Sequence, residues 1–119
     1  MNGEVEKFIY KMSEFLPMVQ QEYAKNDKTV LLETVSVEDI IMPEIIRLLI
    51  DGKNIDLLTK IFQYIEEIVI NNEYVRDILS VTMFEILGND ITILRKAQQY
   101  MGENSKILQT EADKQLGRV

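Results

Sequence analysis

Apolar residues recur at three- and four-residue steps over almost the whole chain, the period of amphipathic helices that bury one face. Two prolines and five isolated glycines leave that pattern few places to break. The first helix is expected over about 3–26, where Val5, Phe8, Ile9, Met12, Phe15, Leu16, Val19 and Tyr23 form one stripe. Pro17 lies inside it, so a kink or a break near Phe15–Leu16 is expected, followed by a linker to about Thr34. A second helix should start near Ser36, whose hydroxyl suits a cap, or restart at Met42 before Pro43, and should stop at Gly52.

The third helix is expected over about 54–70, with Ile55, Leu58, Ile61, Phe62, Ile65, Ile68 and Val69 inward. The fourth, over about 73–87, is apolar on both sides through Val81 and Phe84, which marks it as the centre of the fold. A fifth runs to Met101 and a last, thinner one over about 103–116, with Ile107, Leu108, Ala112 and Leu116 as its apolar row. Residues 117–119 are expected to fray. The short extended candidates, 29–32 and 34–35, lack a partner strand. The expectation is one all-α domain over 1–119, with five to six helices in antiparallel hairpins. A short HEAT-like superhelix and a compact bundle both satisfy it.

Composition narrows the chemistry. Histidine and cysteine are both absent. That removes the usual general base, the Ser/His and Cys/His nucleophile pairs, thiolate and imidazole metal ligands and any disulfide. The glycines form no phosphate-binding loop. A non-enzyme without cofactor or metal is expected. Residues 1–11 alternate charged and apolar types, and no run approaches the roughly 20 apolar residues of a membrane span. A cytoplasmic protein is the expectation.

The net charge of −7 is uneven: residues 31–90 carry twelve acids against four bases, and the flanks carry eight acids against nine bases. A field of that sign repels nucleic acid and anionic membranes and attracts a basic protein partner. Glu66 and Glu85 would face each other as a carboxylate pair if the third and fourth helices pack antiparallel, but no histidine completes a metal site. Phe62 and Phe84 read as core, while Tyr64 and Tyr74 can present a hydroxyl to a partner. The alternative is a helical scaffold or adaptor without a toxin, which self-associates as a homodimer through Val81 and Phe84 or binds another protein.

The run from Phe62 to Leu87, with Ile65-Glu66, Tyr74-Val75, Val81 and Glu85, resembles a family of small all-helical bacterial immunity proteins. Those are encoded beside polymorphic or contact-dependent toxins. The segment Tyr100-Met101-Gly102-Glu103-Asn104-Ser105-Lys106 is similar to a closing motif of that family, in which a proline commonly follows the glycine; here Glu103 stands there. The resemblance implies a protein that binds and blocks the toxic domain of a cognate effector, a basic nuclease being the class that charge would suit. The expected partner-binding residues are Gln63, Tyr64, Glu66, Glu67, Tyr74, Asp77 and Glu85. Glu85 has a second expected use, bracing a neighbouring helix.

Overall fold

Both prolines fall where helix geometry has to change, and they shape the first half of the chain. The computed structural model describes residues 2–25 and 33–118. Helix α1 (Gly3–Phe15) is capped by Asn2, whose side-chain oxygen accepts from the Glu4 N–H at 2.7 Å. Leu16 is extended (φ −129°, ψ 90°), as expected of a residue before proline. Pro17 then opens α2 (Pro17–Ala24), where its missing N–H has no helical partner to lose. The chain takes the break rather than the kink. Most of the expected linker, and the 29–32 segment, lie outside the described residues.

The second helix starts earlier than expected. A first turn, α3 (Glu33–Val35), leads into a π-helical turn (Ser36–Ile41) and then α4 (Met42–Asp51). Ser36 is therefore no N-cap; it is buried inside the wide turn. There the Met42 N–H reaches the Val37 carbonyl, five residues back. An α-helical register would press the Pro43 ring on the carbonyl four residues before it, and the wider turn gives that ring room. Gly52 ends α4 in the left-handed region (φ 67°), its N–H on the Leu48 carbonyl at 2.9 Å.

Helix α5 (Ile55–Asn71) is capped by Asn54. Asn72 serves two helices: its N–H closes α5 on Ile68, and its side-chain oxygen caps α6 (Glu73–Val81) through the Val75 N–H at 3.0 Å. The expected single helix over 73–87 breaks at Thr82. Its buried hydroxyl donates to the Ile78 carbonyl at 2.7 Å, a back-bond that bends helices. Helix α7 (Met83–Leu87) resumes in a new phase, with Met83, Phe84 and Leu87 fully buried. Val81 is left outside. Helices α8 (Ile91–Gln98, capped by Asp90) and α9 (Glu103–Gln115) complete the chain.

Taking Glu33–Asp51 as one run and α6–α7 as one bent helix, the described residues hold seven helices, where five to six were expected. The Pro17 break supplies the extra one. Phe8, Phe62 and Phe84 anchor a single core. Helix α1 touches α5 and α6 as well as its neighbours, and α9 lies against α5, α6 and α7. Such contacts are foreign to a superhelix, in which each unit meets only the next. The radius of gyration, 13.5 Å, is that of a globule of this length, and the extents are 37 × 31 × 24 Å. No helix among the described residues is long and apolar enough to cross a membrane.

Helix α9 closes in a turn that takes in two of the three residues expected to fray. Gly117 is left-handed (φ 73°), with its N–H on Lys114 and the Arg118 N–H on Asp113 at 2.8 Å. That pair of bonds is a Schellman turn closing α9. The Arg118 side chain donates to Asp113 Oδ1, to the Glu85 carbonyl and to Asn89. Residues 117 and 118 are tied down, and Val119 lies outside the described residues.

Candidate protein-binding surface

Four of the seven expected binding residues sit on α5, and the helical angle of 100° per residue sends them to different neighbours. Gln63 and Glu67, one turn apart, are exposed on the outer face. Tyr64 turns toward α1, its ring 5.9 Å from Phe8 and 6.0 Å from Phe15. Burial, and then the charges of Glu67, Glu14 and Glu4, push its phenol above the ordinary range. Tyr64 is thus a half-buried brace under an acidic rim.

Glu66 turns the other way, onto the start of α9. Its Oε2 accepts from the Asn104 N–H and side-chain amide, both at 3.0 Å. Its Oε1 accepts from the Ser105 N–H and hydroxyl, both at 2.8 Å. Burial alone would raise its pKa, but these bonds favour the ionised form and prevail, so the carboxyl lies below its ordinary value. Helix α9 has no side-chain cap of its own, because Gly102 occupies that position. A Cβ on Gly102 would stand 2.3 Å from Glu66 Cδ. The glycine makes room for a carboxylate supplied by another helix.

This joint unites the run 62–87 with the segment 100–106. Glu66 meets Gly102, Asn104 and Ser105, and Phe62 stacks on Tyr100 at 5.9 Å and 24°. Glu103 is the first residue of α9. Proline and acidic residues both suit that position, one by its fixed φ and the other by its charge against the helix dipole.

The remaining three residues diverge. Tyr74 is exposed and donates to Glu33 Oε1 at 2.6 Å, which raises its pKa, with burial and the Glu33 charge adding in the same direction. The other Glu33 oxygen accepts from the Asn2 N–H. Asp77 is exposed on α6 beside Arg76, 3.4 Å away. Glu85 lies near the far end of α9, where its carbonyl receives Arg118. Glu66 and Glu85 are therefore associated with opposite ends of a helix about 20 Å long, and the expected facing pair does not form. Phe84, expected to help make a dimer patch, has no exposed surface.

A family profile described as Domain of unknown function (DUF7674) matches residues 9–117. The chain belongs to the DUF7674 family. No curated protein and no solved structure matches it. The span shared with DUF7674 takes in both ends of α9: the Glu66 cap and the left-handed Gly117.

Sequence reasoning missed the donors that hold Glu66. Asn104 and Ser105 look like ordinary helix-start residues, and a glycine in the cap position was the signal that a cap had to come from elsewhere. It also missed a second buried polar cluster at Gly88. There Gln109 Nε2 donates to the Phe84 carbonyl at 2.8 Å and to Asp113 Oδ1 at 3.2 Å. A Cβ on Gly88 would lie 2.3 Å from that Asp113 oxygen.

Proposed function

We propose that this chain is an immunity-type protein, which grips the toxic domain of a cognate bacterial toxin in the cytoplasm and blocks it by occlusion, without catalysis. The observation that carries the reading is the outward row Gln63–Glu67 on α5, with Asp77 on α6. These side chains are exposed in the part of the chain that holds the whole acidic surplus. Carboxylates held at the surface in excess of bases attract a basic partner and speed its encounter. A basic nuclease domain is the toxin class that fits. Glu66, Tyr64 and Tyr74 contribute by holding the surface in shape, since each is engaged with another helix or segment.

The test is co-expression with the toxic domain encoded beside this gene. Wild type should restore growth and co-purify with the toxin at equal stoichiometry. Gln63→Lys with Glu67→Lys should weaken binding at least about tenfold, chiefly through slower association, with the helical spectrum unchanged. Neutralisation by that double variant at wild-type strength would remove α5 as the gripping surface.

A further inference from the structure

Of the seven asparagines in the chain, Asn2 alone is followed by glycine. An asparagine side chain is open to attack by the backbone nitrogen of the next residue, and a Cβ on that residue shields the nitrogen. Glycine has none. Gly3 is also the first residue of α1, so its N–H is one that a helix start leaves without an intrahelical partner. No bond within the helix has to break before that nitrogen reacts. The fold does not require the glycine: its φ is not positive, and a Cβ there would meet nothing within 4 Å. Asp51–Gly52 differs on both counts, with its glycine at φ 67° and the Gly52 N–H held by the Leu48 carbonyl at 2.9 Å.

Asn2 holds together the corner at which α1 begins. Its side-chain oxygen accepts from the Glu4 N–H at 2.7 Å, and its carbonyl accepts from the Glu6 N–H at 3.1 Å. Its own N–H donates to Glu33 Oε2 at 2.9 Å, and the other Glu33 oxygen receives the Tyr74 hydroxyl. Glu4 in turn accepts from the Asn72 side-chain amide at 2.8 Å. A covalent change at Asn2 therefore reaches α3 and the joint between α5 and α6.

We propose that Asn2–Gly3 is a self-modification site, with water as its only co-reactant, at which deamidation releases the start of α1 from that corner. The Gly3 nitrogen attacks Asn2 Cγ and closes a five-membered succinimide. The bond from Cγ to the side-chain nitrogen breaks, and that nitrogen leaves as ammonia with the proton of the Gly3 N–H. Water then opens the ring. Addition at Cγ gives aspartate, and addition at the backbone carbonyl gives isoaspartate, in which the chain runs through the side-chain carbon. Either product brings one more negative charge to the corner. Aspartate keeps the cap, since a carboxylate accepts from the Glu4 N–H as an amide does. Isoaspartate lengthens the backbone by a methylene and moves the acceptors of both the Glu4 and the Glu6 N–H. Ring closure brings the Gly3 nitrogen to the side of the Cα–C bond that carries Cβ. That requires ψ to leave 137° and the bonds at Asn2 to open, so the corner sets the rate.

The test incubates the full chain in warm, mildly alkaline buffer beside a synthetic peptide of residues 1–7. Tryptic mass spectrometry should show amide-to-acid conversion at residue 2, slower than in the peptide, with isoaspartate resolved from aspartate by its fragmentation. Gly3→Ala, at an exposed position, should almost abolish the conversion. Glu33→Ala frees the Asn2 N–H and should speed it severalfold, with the helical spectrum unchanged. In the isoaspartate form the α1 amides at 6–9 should exchange faster than before incubation, whereas Asn2→Asp should keep their protection. An intact Asn2 after the peptide has fully converted would overturn the proposal, as would conversion of Gly3→Ala at the wild-type rate. Conversion as fast in the folded chain as in the peptide would overturn the control by the corner. Unaltered exchange in the isoaspartate form would overturn the release of α1.

Discussion

Glu66 illustrates how one carboxylate can serve as the cap of a helix that begins 37 residues later. Four donors converge on it, two of them the N–H groups that the start of α9 cannot satisfy internally. Glu66→Ala leaves those N–H groups without their partner and should cost about 2 kcal/mol in urea denaturation. Gly102→Ala should cost a similar amount for the opposite reason, since its methyl displaces the same carboxylate. Once Glu66 is already alanine, the methyl has nothing to displace. The double variant should therefore lie well short of the sum of the two, with a coupling of about 1 kcal/mol or more. Full additivity would show that the two residues do not share a site. The acid limb follows from the same contacts. A carboxyl lowered in the folded state contributes stability that is fully present above its unfolded value and lost as pH falls through the folded one. Stability should thus decline below the ordinary glutamate range, and Glu66→Gln should flatten that decline. An unaltered acid limb in Glu66→Gln would count against the cap.

At the level of the element, what could be read from the chain depended on whether the cause was local. Pro17 and Gly52 act within a few residues, and both were visible as breakers; the caps Asn2, Asn54 and Asp90 are equally local. The π-helical turn was not, because Pro43 signals an interruption without saying whether the helix stops or widens. The break at Thr82 was hidden for another reason: threonine inside a helical pattern is common, and only burial turns its hydroxyl back onto Ile78. That break decides the surface, since an unbroken helix would keep Val81 and Phe84 close in phase. Thr82→Val keeps the shape and removes the hydroxyl, so it should cost about 1 kcal/mol. It should also allow α6 and α7 to straighten, which backbone chemical shifts at 81–83 would report. Unchanged shifts and stability would mean that packing alone imposes the bend.

At the scale of the whole molecule, the fold class was legible because helical periodicity is written continuously, whereas the candidate surface was legible only as a list of exposed-type residues. Which of those residues stay exposed depends on contacts between helices far apart in sequence, and Glu66, Tyr64 and Tyr74 were each claimed by such a contact. Helix α9 shows the consequence. Its buried positions, Ser105, Gln109, Ala112 and Asp113, are mostly polar, so apolar burial contributes little to holding it. It is fixed at both ends instead, by Glu66 at its start and by the Gly117–Arg118 turn at its finish. Because those anchors sit on α5 and on the α7–α8 corner, α9 should open only when the whole core opens. Native-state hydrogen exchange should then give α9 amides at 107–113 the same protection as α5 amides at 61–69. Glu66→Ala with Arg118→Ala should remove both anchors, and the α9 amides should then exchange by a separate, lower-energy opening while α5 keeps its own. If the α9 amides already exchange faster than those of α5 in the wild type, the ends do not couple the helix to the core.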